Sequence, residues 1–131
     1  MKIVENCWDD VSAEHCVYGT HSFDGSTAEI YVYSGLSVWS DDLERMFTLR
    51  NEYGVGNCKL VFHGVKSFKW RITPYSLGKD GRPLWGTPTL HEHHGESTGE
   101  IHEFFLDGTM HDAPASVWGE IEAEKFALHI L

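Results

Sequence analysis

From Ser67 to Thr73, apolar and polar side chains take turns: Phe68, Trp70 and Ile72 interleave with Lys69, Arg71 and Thr73. A period of two puts one set on each side of an extended chain, so this stretch predicts a strand with one buried face and one wet face. The same beat recurs elsewhere. Ile30 and Val32 alternate with Tyr31 and Tyr33, and Leu60 and Phe62 with Val61 and His63. Ile101, Phe104, Phe105 and Leu106 mark a further strand over Glu100 to Leu106, and Phe126, Leu128 and Ile130 close the chain. Just before them Ile121 and Ala123 have the opposite parity, which predicts a β-bulge near Glu124-Lys125 or a change of sheet there.

Short strands need corners. Asp-Gly pairs stand at Asp24-Gly25, Asp80-Gly81 and Asp107-Gly108, each beside a segment of strand character. Asp-Gly supplies the positive φ angles of type I′ hairpin turns, so the three pairs predict a meander of hairpins. One stretch, Asp41 to Tyr53, is mixed. Ser40 suits a helix N-cap, Asp41 and Asp42 suit the positive end of a helix dipole, and Gly54 suits the position after its last turn. Phe47 and Leu49 nevertheless alternate like a strand, so a short helical turn followed by a strand is expected over 41–53. The fold class is therefore all-β and mainly antiparallel: a single domain over 1–131, as a β-sandwich or open barrel of about eight strands.

At 131 residues the chain is long enough to bury a core without staples. Its three cysteines, Cys7, Cys16 and Cys58, are odd in number and match no zinc or redox spacing, so three thiols are expected. No apolar run approaches the ~18 residues of a membrane span, and MKIVENCWDD at the N-terminus has no signal-type apolar stretch. The cytoplasm is the expected compartment.

The net charge of −10 argues against nucleic acid and anionic membranes as partners, because phosphate binding needs clustered Lys and Arg. The charge is also unevenly spread. No Lys or Arg occurs from Pro83 to Glu124, which holds Glu92, Glu96, Glu100, Glu103, Asp107, Asp112, Glu120, Glu122 and Glu124. Lys66, Lys69, Arg71, Lys79 and Arg82 form a basic island just before it. If Ser67–Thr73 pairs near Glu100–Leu106, the two sets neutralise each other across strands. The functional alternative is an acidic face that receives a basic protein. Glu120, Glu122 and Glu124, at period two, are its most specific part, with Glu100 and Glu103 beside them.

The nine histidines are the second unusual feature. In LHEHHGE, His91 and His93 point to one side of an extended chain, roughly 7 Å apart, and His94 follows. With a third group from a neighbouring strand, such a pair can hold Zn²⁺, Fe²⁺ or Ni²⁺. The bland alternative is a polar hairpin loop and no cofactor. If His91, His93, His94 and His102 sit among carboxylates, they are expected to stay charged to higher pH. No phosphate loop, nucleophile elbow or His-Glu-x-x-His occurs. Trp39, Trp85 and Trp118 can line a ligand pocket or belong to the core.

Three readings follow. The first is a non-enzymatic protein-interaction module, in one version an immunity-type inhibitor of a basic toxin. The second is a small metal-dependent β-barrel enzyme built on His91 and His93. The third is a small-molecule carrier with an aromatic-lined cavity.

Overall fold

The computed structural model describes all residues, Met1–Leu131. In chain order its elements are β1 (Lys2–Glu5), a 3-10 turn (Trp8–Asp10), β2 (Val11–Ser12), β3 (Cys16–Phe23), β4 (Thr27–Ser34), β5 (Ser37–Val38) and α1 (Asp41–Glu44). There follow β6 (Leu49–Asn51), β7 (Gly54–Gly56), β8 (Cys58–Leu77), β9 (Pro83–Trp85), β10 (Thr89–His94), β11 (His102–Met110) and β12 (Ala115–Ile130). The all-β, mainly antiparallel architecture is the one the alternation predicts.

The stretch that carries the clearest alternation is the middle of β8, a 20-residue strand. Phe68 and Trp70 are fully buried, and Arg71 is exposed on the other side. Burying such a ring contributes on the order of 2–3 kcal/mol, which is why parity decides the facing so firmly. The first half of β8 pairs with β4 on one edge and with β12 on the other. Its second half keeps β12 and takes β10 in place of β4. β12 in turn pairs with β11, β11 with β3, and β3 with β4. The pairings β3–β4–β8–β12–β11–β3 thus close a ring, and between a sandwich and a barrel they make a barrel. Closure removes the exposed edges that an open sheet must otherwise protect. One connected core of 26 buried residues fills it, including Tyr18, Phe62, Phe68 and Trp70.

The parity break in the last strand lies beside a shift in register. Glu122 lies opposite Ser67 and Ala123 opposite Val65, so Lys66 of β8 is an extra residue and the register shifts between Glu122 and Ala123. That extra residue changes the facing of β8; the change of facing within β12 falls instead where its other edge passes from β11, paired as far as Ala123, to β1, paired from Ala127.

Two of the three Asp-Gly pairs are corners. Asp24-Gly25 turns β3 into β4, and Asp24 Oδ1 accepts from the Ser26 and Thr27 amides at 2.9 and 2.7 Å. Asp80-Gly81 joins β8 to β9. Asp107-Gly108 departs from the expected hairpin: it lies inside β11, where that strand leaves β12 to run parallel to β3. Gly108 has φ +155°, and a Cβ there would collide with the carbonyl oxygen of Cys16. The glycine is needed for close approach of two backbones rather than for a turn.

Over 41–53 a helical turn and a strand do follow one another. The Leu43 amide donates to Ser40 Oγ at 3.3 Å, as the cap requires. Gly54 does not end the helix. It opens β7, which pairs back onto β6.

Candidate interaction face

Directly opposite residues of paired strands share a face of the sheet, so the registers of β10, β8, β12 and β11 fix three rows across the outside of the barrel. The first row is Leu90, Arg71, Trp118 and Asp107. The second is Glu92, Lys69, Glu120 and Phe105, and the third is His94, Ser67, Glu122 and Glu103. Glu14, in the segment between β2 and β3, borders this face beside Phe105 and Trp118.

Its chemistry is mixed and net acidic. The carboxylates of Glu92, Glu103, Asp107, Glu120 and Glu122 outnumber the cations of Lys69 and Arg71. Arg71 lies over the Trp118 ring, 5.0 Å from its centroid, a contact worth about 0.5–1 kcal/mol where water reaches it. Phe105 is 53% exposed, on a strand whose other side enters the core through Phe104 and Leu106, and Leu90 is 51% exposed on β10, none of whose residues is buried. An alternating strand places polar groups on its wet side by default, so a Phe and a Leu there are informative. β8 runs on past this face into a projecting hairpin with β9. There Tyr75 pairs with Trp85, ring centroids 5.4 Å apart, and Leu77 and Trp85 are exposed.

The acidic residues singled out from the sequence separate on this scaffold. Glu120 lies between Lys69 and Phe105 on the outer face. Glu122 accepts from Ser67 Oγ through Oε1 at 2.6 Å. Glu103 is exposed at the end of the third row. Glu124 is set apart from them. It is half-buried, its Oε2 accepts from Ser97 Oγ at 2.8 Å, and a side chain at Gly64 or Gly99 would collide with its carboxylate. Glu100 precedes β11 and is exposed. The expected pairing of the basic island with Glu100–Leu106 is replaced by another, because β12 runs between β8 and β11. Lys69 therefore faces Glu120 and Glu92.

The histidine tract divides by parity. His94 stands on the outer face with Nε2 3.5 Å from Glu92. His91 and His93 turn to the inner side, where His91 lies 5.1 Å from the ring of His21 and His93 lies 5.4 Å from Phe23. Their neighbours are rings rather than the carboxylates expected. No group of three or more His, Cys, Asp or Glu side chains converges closely enough to hold a metal ion. His21 is the residue the sequence reading missed. It stands 70 positions from His91, and nothing in Thr20-His21-Ser22 announces the contact.

Of the tryptophans, Trp39 and Trp85 are exposed and Trp118 lies on the outer face. The aromatic recess lies elsewhere. It is an open hollow of about 340 Å³ bordered by Trp8, Phe104 and Phe126, with Asp9, Glu103 and Glu124 at its rim. The three thiols are free and buried. Burial pushes Cys16 and Cys58 up to about 12 and raises Cys7 as well, so all three stay protonated at neutral pH.

Comparison of the chain with models of protein families, with curated proteins and with solved structures gives no match. No helix is long and apolar enough to cross a membrane.

Proposed function

We propose that the protein is a non-enzymatic binding module that docks a basic protein on the outer face of β10, β8, β12 and β11. The observation that carries this reading is the composition of that face. Exposed Phe105 and Leu90 and half-buried Trp118 sit among carboxylates that outnumber the two cations. Apolar anchors supply most of the affinity of a protein interface, and a surplus of one charge sign steers the partner and speeds its approach. A cationic toxin is one partner class that fits, with this protein as its inhibitor. The face is built on paired strands, so it is rigid before binding and loses little entropy on docking.

Affinity capture from source cells at low salt tests the proposal. The wild type is compared with a Phe105→Ser, Glu103→Gln, Glu120→Gln variant, and the captured complex is cross-linked. The expected outcome is a partner that elutes as salt rises, is held at least tenfold more weakly by the variant, and cross-links to β8, β11 and β12; tenfold is about 1.4 kcal/mol. Equal retention by both proteins, or cross-links confined to other strands, would remove the reading.

A further inference from the structure

β3 and β10 are neighbours on the barrel wall that share no backbone pairing: β3 bonds to β4 and β11, and β10 to β8. Side chains alone close the seam between them. His21 and Phe23 come from β3 and His91 and His93 from β10, packed over Phe68 and Trp70 of β8. Ring centroids are 5.1 Å for His21–His91, 5.8 Å for His21–Phe68 and for His21–Trp70, and 6.0 Å for His93–Phe68.

The groups that face His21 can be named element by element. From β10 they are His91 and His93, and from β8 Phe68 and Trp70, which do not titrate. Its partner across β4 is buried Ile30. On β3, Tyr18 is buried and its hydroxyl donates to the Ala13 carbonyl at 2.5 Å. Glu29, the nearby acid on β4, pairs with Ser22 and reaches Lys59 at 3.8 Å, on the far side of the strand. The seam therefore gathers three imidazoles with no carboxylate among them. Beneath it, the Trp70 indole N–H is buried and has no hydrogen-bond partner, a group that water would satisfy.

We infer that this seam is an acid-operated gate: protonation of His21, packed against His91 and His93, parts β10 from β3 and uncovers the aromatic floor of Phe68 and Trp70. In the neutral form the imidazoles are flat rings that pack like the aromatics beside them. Charged, His21 is repelled by His91 and His93 at close range, and, half-buried among rings, it demands more water than the closed seam gives it. Opening relieves both and hydrates the Trp70 N–H. Burial, reinforced by His91 and His93, lowers the pKa of His21 and is consistent with a closed seam that resists the proton. β10 lies outside the ring of paired strands, so as the seam parts only its own pairing with β8 loosens and the ring stays closed.

Hydrogen exchange of the full-length protein between pH 7.5 and 5.0, corrected for the intrinsic pH dependence of exchange, tests this directly. Amides of β10 are expected to exchange at least tenfold faster at pH 5 relative to those of β12, and a dye that binds exposed apolar surface is expected to brighten in parallel. A His21→Gln, His91→Gln, His93→Gln variant should lose both responses, and a His129→Gln variant should keep them. Should the triple variant fold poorly, the wild type still decides: its His21 ring resonances must titrate together with the β10 exchange. β10 protection that ignores pH, a response that survives the triple variant, or one that disappears in His129→Gln overturns the inference.

Discussion

Two imidazoles are held so that taking up a proton costs folding energy. Burial lowers the pKa of His21, with His91 and His93 adding to the effect. His129 is lowered chiefly by burial as well, opposed by Glu29 and assisted by His63 and Lys59. The sign follows from linkage. The unfolded chain binds these protons more readily than the folded one, so stability is complete above the ordinary histidine value near 6.5 and is lost as pH falls through the lowered folded values. The melting temperature should therefore drop between pH 7.5 and pH 5.5, a window in which most carboxylates remain ionised, and His129→Gln should flatten part of that slope. Calorimetry at fixed ionic strength reads it, and a melting temperature that climbs on acidification would refute the assignment. At this scale the sequence is legible only where a residue's neighbours are local. Glu120 and Glu122 share a face because parity alone puts them there, and the Ser40 cap follows from three successive residues. His21 could not be foreseen, because its neighbours are supplied by the fold. The same holds for the separation of Glu124, which lies where β12 passes from β11 to β1.

The strands are the level at which local pattern and global fold agree most closely. β8 reads correctly over Ser67–Thr73 because Phe68, Trp70 and Ile72 leave no choice of facing. Its full length could not be read, since Gly64 and Pro74 look like strand ends and both lie within it. Asp107-Gly108 shows the converse: a turn signature spent on a strand. Three aligned residue pairs, Gly108 with Cys16, Thr109 with Val17 and Met110 with Tyr18, join β11 to β3 and close the ring. Asp107 reinforces the junction by accepting from the His15 amide at 2.7 Å. Gly108→Ala brings in both a side chain at φ +155° and a clash with the Cys16 carbonyl. A loss of about 2 kcal/mol or more is expected from strain and overpacking combined. Urea unfolding measures it, with Gly25→Ala, where a Cβ meets nothing within 4 Å, as the control for φ alone. Equal, small losses at the two positions would show that the β11–β3 approach is not tight.

Closure also determines how the whole molecule can open. In an open sheet an edge strand can peel away by itself, whereas in a ring every strand of the circuit is held on both sides. Cys16 and Cys58 report on two different pairings of that circuit. Cys16 lies at the β11–β3 junction, and Cys58 lies where β8 meets both β4 and β12. Both are fully buried and both thiols are pushed up to about 12, so neither reacts from the folded state at appreciable rate. A thiol reagent at pH 8 can reach them only when the barrel opens. If the ring opens as one unit, Cys16 and Cys58 modify at the same rate, and that rate follows global stability as urea is added. Mass spectrometry of partly labelled protein separates the two sites, and Cys7, outside the circuit between β1 and the 3-10 turn, serves as the local reference and is expected to react first. A Cys16 that labels well ahead of Cys58 would locate a weak point at the short parallel junction. The barrel would then be a curled sheet held by side chains, and the rigidity claimed for its outer face would extend no further than β8 and β12.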